Sequence, residues 1–386
     1  MGIAFIDLQA QRKRIEDKIN SRVQSVIESG RYIMGPEVKQ LESELAAFSG
    51  AKHAVGCGNG TDALALPLMA WGVKPGDAVF CPSFTFCATG EVVPWLGATP
   101  VFVDIEPDTY NIDPDHLEAQ IEQTLKVGKL TPRVIIGVCL FGQAANYPRL
   151  REIAEKYDMK LIADSAQGFG TTINGKHPSD YADAVTTSFF PAKPLGCYGD
   201  GGAVVTNDAT LASLMDSLRV HGKAVGLDLE GKSFDHDPKY LNMRVGMNSR
   251  LDTMQAAILL EKLAIFAEEI QLRNQVAARY NQLLAPHVAA VPQVAEGTIS
   301  TWAQYTIEHD NRDGLREHLT AEGVPSAVYY PVPMHMNEAY KGYAPAAGSL
   351  PITEAKATRV ISLPMHPYLD EATQDIVIEA VRGYNG

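Results

Sequence analysis

Lys193 stands in the stretch TTSFFPAKPLGCYGDGGAV (186–204), between Pro191 and Pro194. Most lysines are solvated on a surface. An amine fixed in a proline-flanked turn at the end of an apolar run is instead placed to form an imine, which is nucleophilic catalysis by an amine. Ser188, earlier in the same stretch, is positioned to help hold a phosphate. A second group is GCGNGTDAL (56–64), where Gly58, Asn59 and Gly60 follow a strand-like run and Thr61 opens a helix. Backbone N–H groups at a helix N-terminus bind phosphate, and glycines let the anion approach. Gly58, Gly60 and Ala63 also fit a variant dinucleotide fingerprint, which calls for an acidic residue about 20 positions further on. The stretch there, FCPSFTF (80–86), has none, so that alternative is weak. A glycine turn without a ligand is the other alternative.

In ADSAQGFG (163–170), Asp164 ends an apolar strand, where a carboxylate is costly unless it is paired. A ring N–H would pair it, and so would capping of the next turn. Phe86, at the end of FTF (84–86), is either a core side chain or a cover for a planar ring. Phosphate loop, stacking aromatic, carboxylate for a ring nitrogen and imine-forming lysine follow one another in the chain. Together they are what pyridoxal 5′-phosphate needs from a protein.

These residues require strand ends to hold them. Apolar runs at 53–58, 78–86, 99–107, 133–142, 160–166, 184–190 and 202–207 read as strands. Helical patterns at 61–72, 87–97, 114–125 and 147–157 separate most of them. Such alternation predicts an α/β fold with a large, mostly parallel mixed sheet flanked by helices, and ligands at the carboxyl ends of its strands. Residues 249–284 read as two helices or one bent helix. Beyond them, 302–309, 313–323 and 325–333 read as β-α-β, and 371–383 as a closing helix. The expected division is a large domain over 1–272 and a smaller C-terminal α/β domain over 273–386.

Composition narrows the function. The 386 residues carry 33 Lys and Arg against 46 Asp and Glu, a net charge of −13. A nucleic-acid binder would normally show a basic stripe, so nucleic acid is not an expected partner. No apolar run approaches the roughly 20 residues of a membrane span. The start has no signal-peptide core and no transit character, which gives a cytoplasmic expectation. The five cysteines, Cys57, Cys81, Cys87, Cys139 and Cys197, form no C-x-x-C pair and read as small buried hydrophobes. No metal site is expected.

The motifs taken together resemble the DegT/StrS-type nucleotide-sugar aminotransferases, a branch of the fold-type I pyridoxal-phosphate enzymes. The likeness runs nearly end to end, through FIDL (5–8), GRYIMGPEVKQLE (30–42), GNGTDAL (58–64), DSAQGFG (164–170), SFFPAKPLGCYGDGGA (188–203), MNSRLD (247–252) and SLPMHPYL (362–369). The resemblance implies that Lys193 carries the imine and later moves the proton. It implies that Asp164 keeps the pyridine nitrogen protonated, that Gln167 faces the phenolic oxygen and that Phe86 stacks on the ring. Gly60, Thr61 and Ser188 would hold the phosphate. Asn248 would reach the phosphate of a neighbouring subunit, making a homodimer with shared active sites. Family variants that dehydrate sugars have His in place of the lysine, and this chain keeps Lys193. Within the family the nearest resemblance is to the aminotransferases of UDP-2-acetamido-2-deoxy-3-oxo-glucuronate, which make a 3-amino sugar acid for surface polysaccharide such as lipopolysaccharide O-antigen. Their amino donor is L-glutamate, released as 2-oxoglutarate. Arg244 is then a candidate for the sugar carboxylate, the alternative being a salt bridge. Tyr330 and His335, in YYPVPMH, are candidates to line the sugar pocket. Two other functions stay open: a 3- or 4-aminotransferase on a neutral keto-deoxy sugar nucleotide, and a non-catalytic cofactor-binding regulator.

Overall fold

A computed structural model describes residues 2–229, 237, 240–343 and 350–384. Three helices come first: α1 (Leu8–Arg14), α2 (Glu16–Ser29) and α3 (Pro36–Ser49). The chain then alternates through β1 (His53–Cys57), α4 (Gly60–Ala70), β2 (Asp77–Pro82), α5 (Ala88–Trp95), β3 (Thr99–Val103), α6 (Pro114–Val127), β4 (Thr131–Val138), α7 (Tyr147–Lys156) and β5 (Lys160–Asp164). After the short β6 (Thr172–Ile173) come β7 (Ala184–Ser188), β8 (Gly202–Thr206), α8 (Ala209–Leu218) and the single turn α9 (Gly226–Leu229).

These strands form a seven-stranded sheet in the order β1-β8-β7-β5-β4-β2-β3. The pairs β2–β3, β2–β4, β4–β5 and β5–β7 are parallel, and β8 runs antiparallel to both β7 and β1. The sheet is therefore mostly parallel and mixed, as the alternating pattern predicts. β1, β2, β4, β5 and β7 all end at the same edge.

Both faces of the sheet are covered, which is why its strands read as continuous apolar runs rather than alternating ones. In β2, Ala78 and Phe80 join a core with Leu41 and Leu45 of α3 and Leu150 and Ile153 of α7. The intervening Val79 and Cys81 pack on the opposite side with Leu64 and Leu68 of α4 and Val92 and Val93 of α5.

The segment after Ser249 is one continuous helix, α10 (Thr253–Leu284), 32 residues long. Its first part, through Ile270, belongs to the core of the large sheet. From Val276 its side chains join a second core with Tyr305, Leu315, Leu363 and Val377. The helix thus passes from the first core to the second between Ile270 and Val276, with no break.

The second core is built by β10 (Tyr305–Glu308), α11 (Arg312–Ala321), α12 (Pro351–Ala357), β11 (Val360–Leu363) and α13 (Glu371–Arg382), preceded by β9 (Thr298–Ile299) paired with β6. Here the structure corrects the β-α-β expectation. The strand beside β10 is β11, antiparallel to it, and not 325–333. Residues 325–333 touch this sheet through the single bridge Ala327–Ser362. Pro325, Pro331 and Pro333 have no N–H to give to a ladder, so the stretch cannot continue as a paired strand. It runs to the edge of the large sheet instead.

Candidate active site

The strand ends of the large sheet enclose a cavity of about 450 Å³ lined by Gly60, Thr61, Phe86, Asp164, Gln167, Ser188, Lys193 and Tyr330, among others. Each arrives for a local reason. Asn59 caps α4, its Oδ1 accepting from Asp62 N at 2.8 Å, which leaves Gly60 and Thr61 at the helix start with N–H groups unused inside the helix. At Gly60 a Cβ would lie 2.5 Å from Ser188 Cβ, and at Gly202 one would lie 2.3 Å from Asn59 O. Only glycine lets the helix start, the end of β7 and the start of β8 come together. The loop is also tied to the segment after Asn248: Gly58 N donates to Ser249 Oγ at 3.0 Å, and Ser249 Oγ donates to Asp62 Oδ2 at 2.6 Å.

Asp164 is the last residue of β5 and is buried. Its Oδ2 accepts from Thr89 Oγ1 at 2.8 Å and its Oδ1 from Ala166 N at 3.1 Å. Burial pushes its carboxyl up, while Thr89, the Ala166 N–H and Lys193 draw it back. Lys193 sits in the turn after β7, where its backbone N donates to Phe190 O at 2.8 Å. Burial pulls its amine below the usual lysine value, and the Asp164 charge opposes this. Burial therefore outweighs the mutual attraction at both groups. The result is an amine held nearer its neutral, nucleophilic form than a surface lysine is.

Gln167 is fixed at both ends. Its Oε1 accepts from Phe141 N at 2.7 Å, and its Nε2 donates to the Tyr330 hydroxyl at 2.9 Å. Of the two phenylalanines in FTF, Phe84 is fully buried in the core. Phe86 is 51% exposed and lines the cavity. Its ring lies 6.3 Å from that of Tyr330.

Three expected residues do not line this cavity. Arg244 donates to Ser217 Oγ and pairs with Asp228 Oδ1 at 2.5 Å, the salt-bridge alternative. His335 is buried between Ser83 Oγ, 2.6 Å from its Nδ1, and Glu354 Oε1, 3.2 Å from its Nε2, which replaces the sugar-pocket placement. Asn248 is exposed on the chain surface. Conversely, Thr85, Asp200, Gln304 and Tyr329 line the cavity and were not singled out in the sequence. Neither Thr89, in an α5 opening that also holds Glu91, nor Gln304 had a local signal in the sequence.

The donor set fits pyridoxal phosphate. One buried carboxylate lies at a strand end, burial pulls one amine below the usual lysine value, and a glycine-lined helix start faces the same cavity. Among the described residues no His, Cys, Asp and Glu group could hold a metal ion. No described helix is long and apolar enough to cross a membrane.

The comparisons with known proteins agree with this chemistry. The chain is 48% identical to UDP-2-acetamido-2-deoxy-3-oxo-D-glucuronate aminotransferase from Pseudomonas aeruginosa, over 98% of this chain and 99% of that protein. Among solved structures it is similar to a DegT DnrJ EryC1 StrS aminotransferase from Brucella abortus, with a TM-score of 0.94 and 50% identity over the full length of both chains. It is also similar to NtdA from Bacillus subtilis with bound cofactor PMP, with a TM-score of 0.83 and 29% identity, covering 98% of this chain and 82% of that one. With residues 13–382 matching the family as a whole, the chain belongs to the DegT/DnrJ/EryC1/StrS aminotransferases.

Proposed function

We propose that this aminotransferase uses pyridoxal 5′-phosphate to move an amino group from L-glutamate to the 3-oxo position of UDP-2-acetamido-2-deoxy-3-oxo-glucuronate. The product is a 3-amino sugar acid for surface polysaccharide such as lipopolysaccharide O-antigen, made by a cytoplasmic homodimer. The observation that carries the chemistry is that the half-buried Lys193, its amine pulled below the usual lysine value, and the buried Asp164 carboxylate line one cavity. The likeness to the Pseudomonas aeruginosa protein supports the acceptor.

When bound, the cofactor supplies an aldehyde for the amino group and a ring that draws electron density from the carbon losing its proton. The chain does the rest. Gly60 and Thr61 at the start of α4, with Ser188, hold the phosphate through the helix N-terminus. Asp164, oriented by Thr89, keeps a proton on the ring nitrogen. Phe86 covers the ring. Gln167, clamped by Phe141 N and Tyr330, faces the phenolic oxygen. Lys193 Nζ would hold the cofactor through its aldehyde carbon, with loss of water, and as a free amine would carry the proton taken from the donor's α-carbon. The same groups serve the sugar ketone in reverse, so the kinetics are ping-pong.

The test is the visible absorption of the purified protein. The expected result is a cofactor band that fades with L-glutamate and returns with the 3-oxo uronate sugar nucleotide. Return only with neutral keto-deoxy sugar nucleotides would replace the acceptor. A band that no amino donor moves would make the protein a non-catalytic regulator.

A further inference from the structure

The place of Asp164 sets a conflict. Its side chain is buried, and burial favours the neutral, protonated carboxyl. A carboxyl and a ring nitrogen in contact share one proton. A carboxyl that keeps that proton leaves the ring nitrogen bare, so the surroundings of Asp164 decide which atom holds it. Two donors of the chain favour the charged carboxylate. The Ala166 N–H, 3.1 Å from Oδ1, is backbone and cannot turn away. The Thr89 hydroxyl, 2.8 Å from Oδ2, can turn away, because a hydroxyl hydrogen rotates to suit its neighbours.

What fixes that hydrogen is a second threonine. Thr85 Oγ1 lies 3.0 Å from Thr89 Oγ1, and both side chains are buried. Both belong to the connection from β2 into α5, which also brings Phe86 to the cavity. The three groups form a chain with two possible directions. In one, Thr85 donates to Thr89 and Thr89 donates to Asp164. In the other, a protonated Asp164 donates to Thr89 and Thr89 donates to Thr85. An ionised carboxylate has no hydrogen to give, so only the first direction serves it. A hydrogen from Thr85 on Thr89 Oγ1 leaves Thr89 to aim its own at Asp164. We propose that Thr85, acting through Thr89, is a positioning residue that keeps the shared proton on the cofactor's ring nitrogen rather than on Asp164. This inference rests on the place given to Asp164 in the function proposed above.

The test is nitrogen NMR of the holoenzyme loaded with pyridoxal phosphate isotopically labelled at its ring nitrogen, whose resonance separates a protonated ring from a bare one. The wild type is expected to show the protonated ring. Thr89→Val is expected to move the proton toward Asp164 by about tenfold or more in the equilibrium between the two atoms, and Thr85→Val by about threefold in the same direction. Thr89→Ser and Thr85→Ser keep the hydroxyl and lose the methyl, so both hold the wild-type resonance. An unmoved resonance in both valine variants overturns the proposal. So does a serine variant that moves as far as its valine counterpart, which is what a packing role would give. Movement in Thr89→Val alone overturns the part given to Thr85. A wild type with a bare ring nitrogen overturns the reading of Asp164 itself. Should Thr89→Val fail to fold, Thr85→Val beside Thr85→Ser decides, and an unmoved resonance in Thr85→Val counts against the proposal.

Discussion

At the scale of single residues, burial raises the Asp164 carboxyl and lowers the Lys193 amine, each opposed by the other's charge. Lys193→Ala removes both the nucleophile and the proton carrier, so turnover falls by about 10³-fold or more, read as the steady-state rate. The pH dependence follows from the direction of the Lys193 shift. Only the neutral amine reacts with an aldehyde, so capture of added pyridoxal phosphate by cofactor-free protein speeds up as pH rises through the amine's value. That midpoint falls below the 10.5 of an ordinary lysine. Asp164 raises the Lys193 value, so Asp164→Asn moves the midpoint further down. Stopped-flow absorbance across pH checks both statements, and an identical midpoint in Asp164→Asn would remove the coupling. The types and order of these residues were legible in the sequence because strand ends with odd chemistry stand out against apolar runs. Thr89 was not, since it meets Asp164 from a different element, 75 positions away. Nor does any local pattern announce the partners that His335 and Arg244 find inside the chain, in Ser83 and Glu354 and in Asp228.

At the scale of elements, the small domain has to be held against the large one so that Gln304, Tyr329 and Tyr330 reach the cavity. One tie is Asp104, just past β3 and buried. Its Oδ1 accepts from Thr353 N at 2.8 Å and from Ile105 N at 2.9 Å, and its Oδ2 accepts from Ile352 N at 3.1 Å. The first turn of α12 is thus capped by a residue of the other domain. Asp104→Ala leaves these N–H groups without a partner and costs about 1–3 kcal/mol. The urea midpoint measures it, and an unchanged midpoint would mean that water satisfies the turn. The elements themselves were legible wherever a period ran long enough, as in α6, α7 and the strands of the large sheet. The β-branched and aromatic side chains of 325–333 favour a strand, while its backbone lacks the N–H groups that a ladder needs. Its prolines decide otherwise, and the freed backbone is what carries Tyr330 across to Gln167.

At the scale of the whole molecule, a single chain leaves Asn248 outside its own cavity, while the segment bearing it exposes Met243 and Val245, the latter 90% accessible. Tyr32 and Ile33, before α3, are also exposed apolar side chains. Surfaces of this kind mark association sites, and a symmetric dimer would cover both copies at once. Net charge carries no trace of this, and a partner's residue leaves no mark in the spacing of one chain, so a shared site is an expectation that only the resemblance carries. It can be tested without a structure of the dimer. Asn248→Asp would set a carboxylate against the cofactor phosphate, and Lys193→Ala lacks the amine, so each variant alone is inactive. Suppose Asn248 serves the neighbouring subunit. A mixed dimer then has one site with Lys193 from one chain and Asn248 from the other, both intact, and a second site with both groups lost. Random exchange from equal amounts makes half the dimers mixed, each with one working site of two, so about a quarter of wild-type activity returns. Suppose instead that Asn248 serves its own chain. Every site in the mixture then lacks one group or the other, and mixing restores nothing.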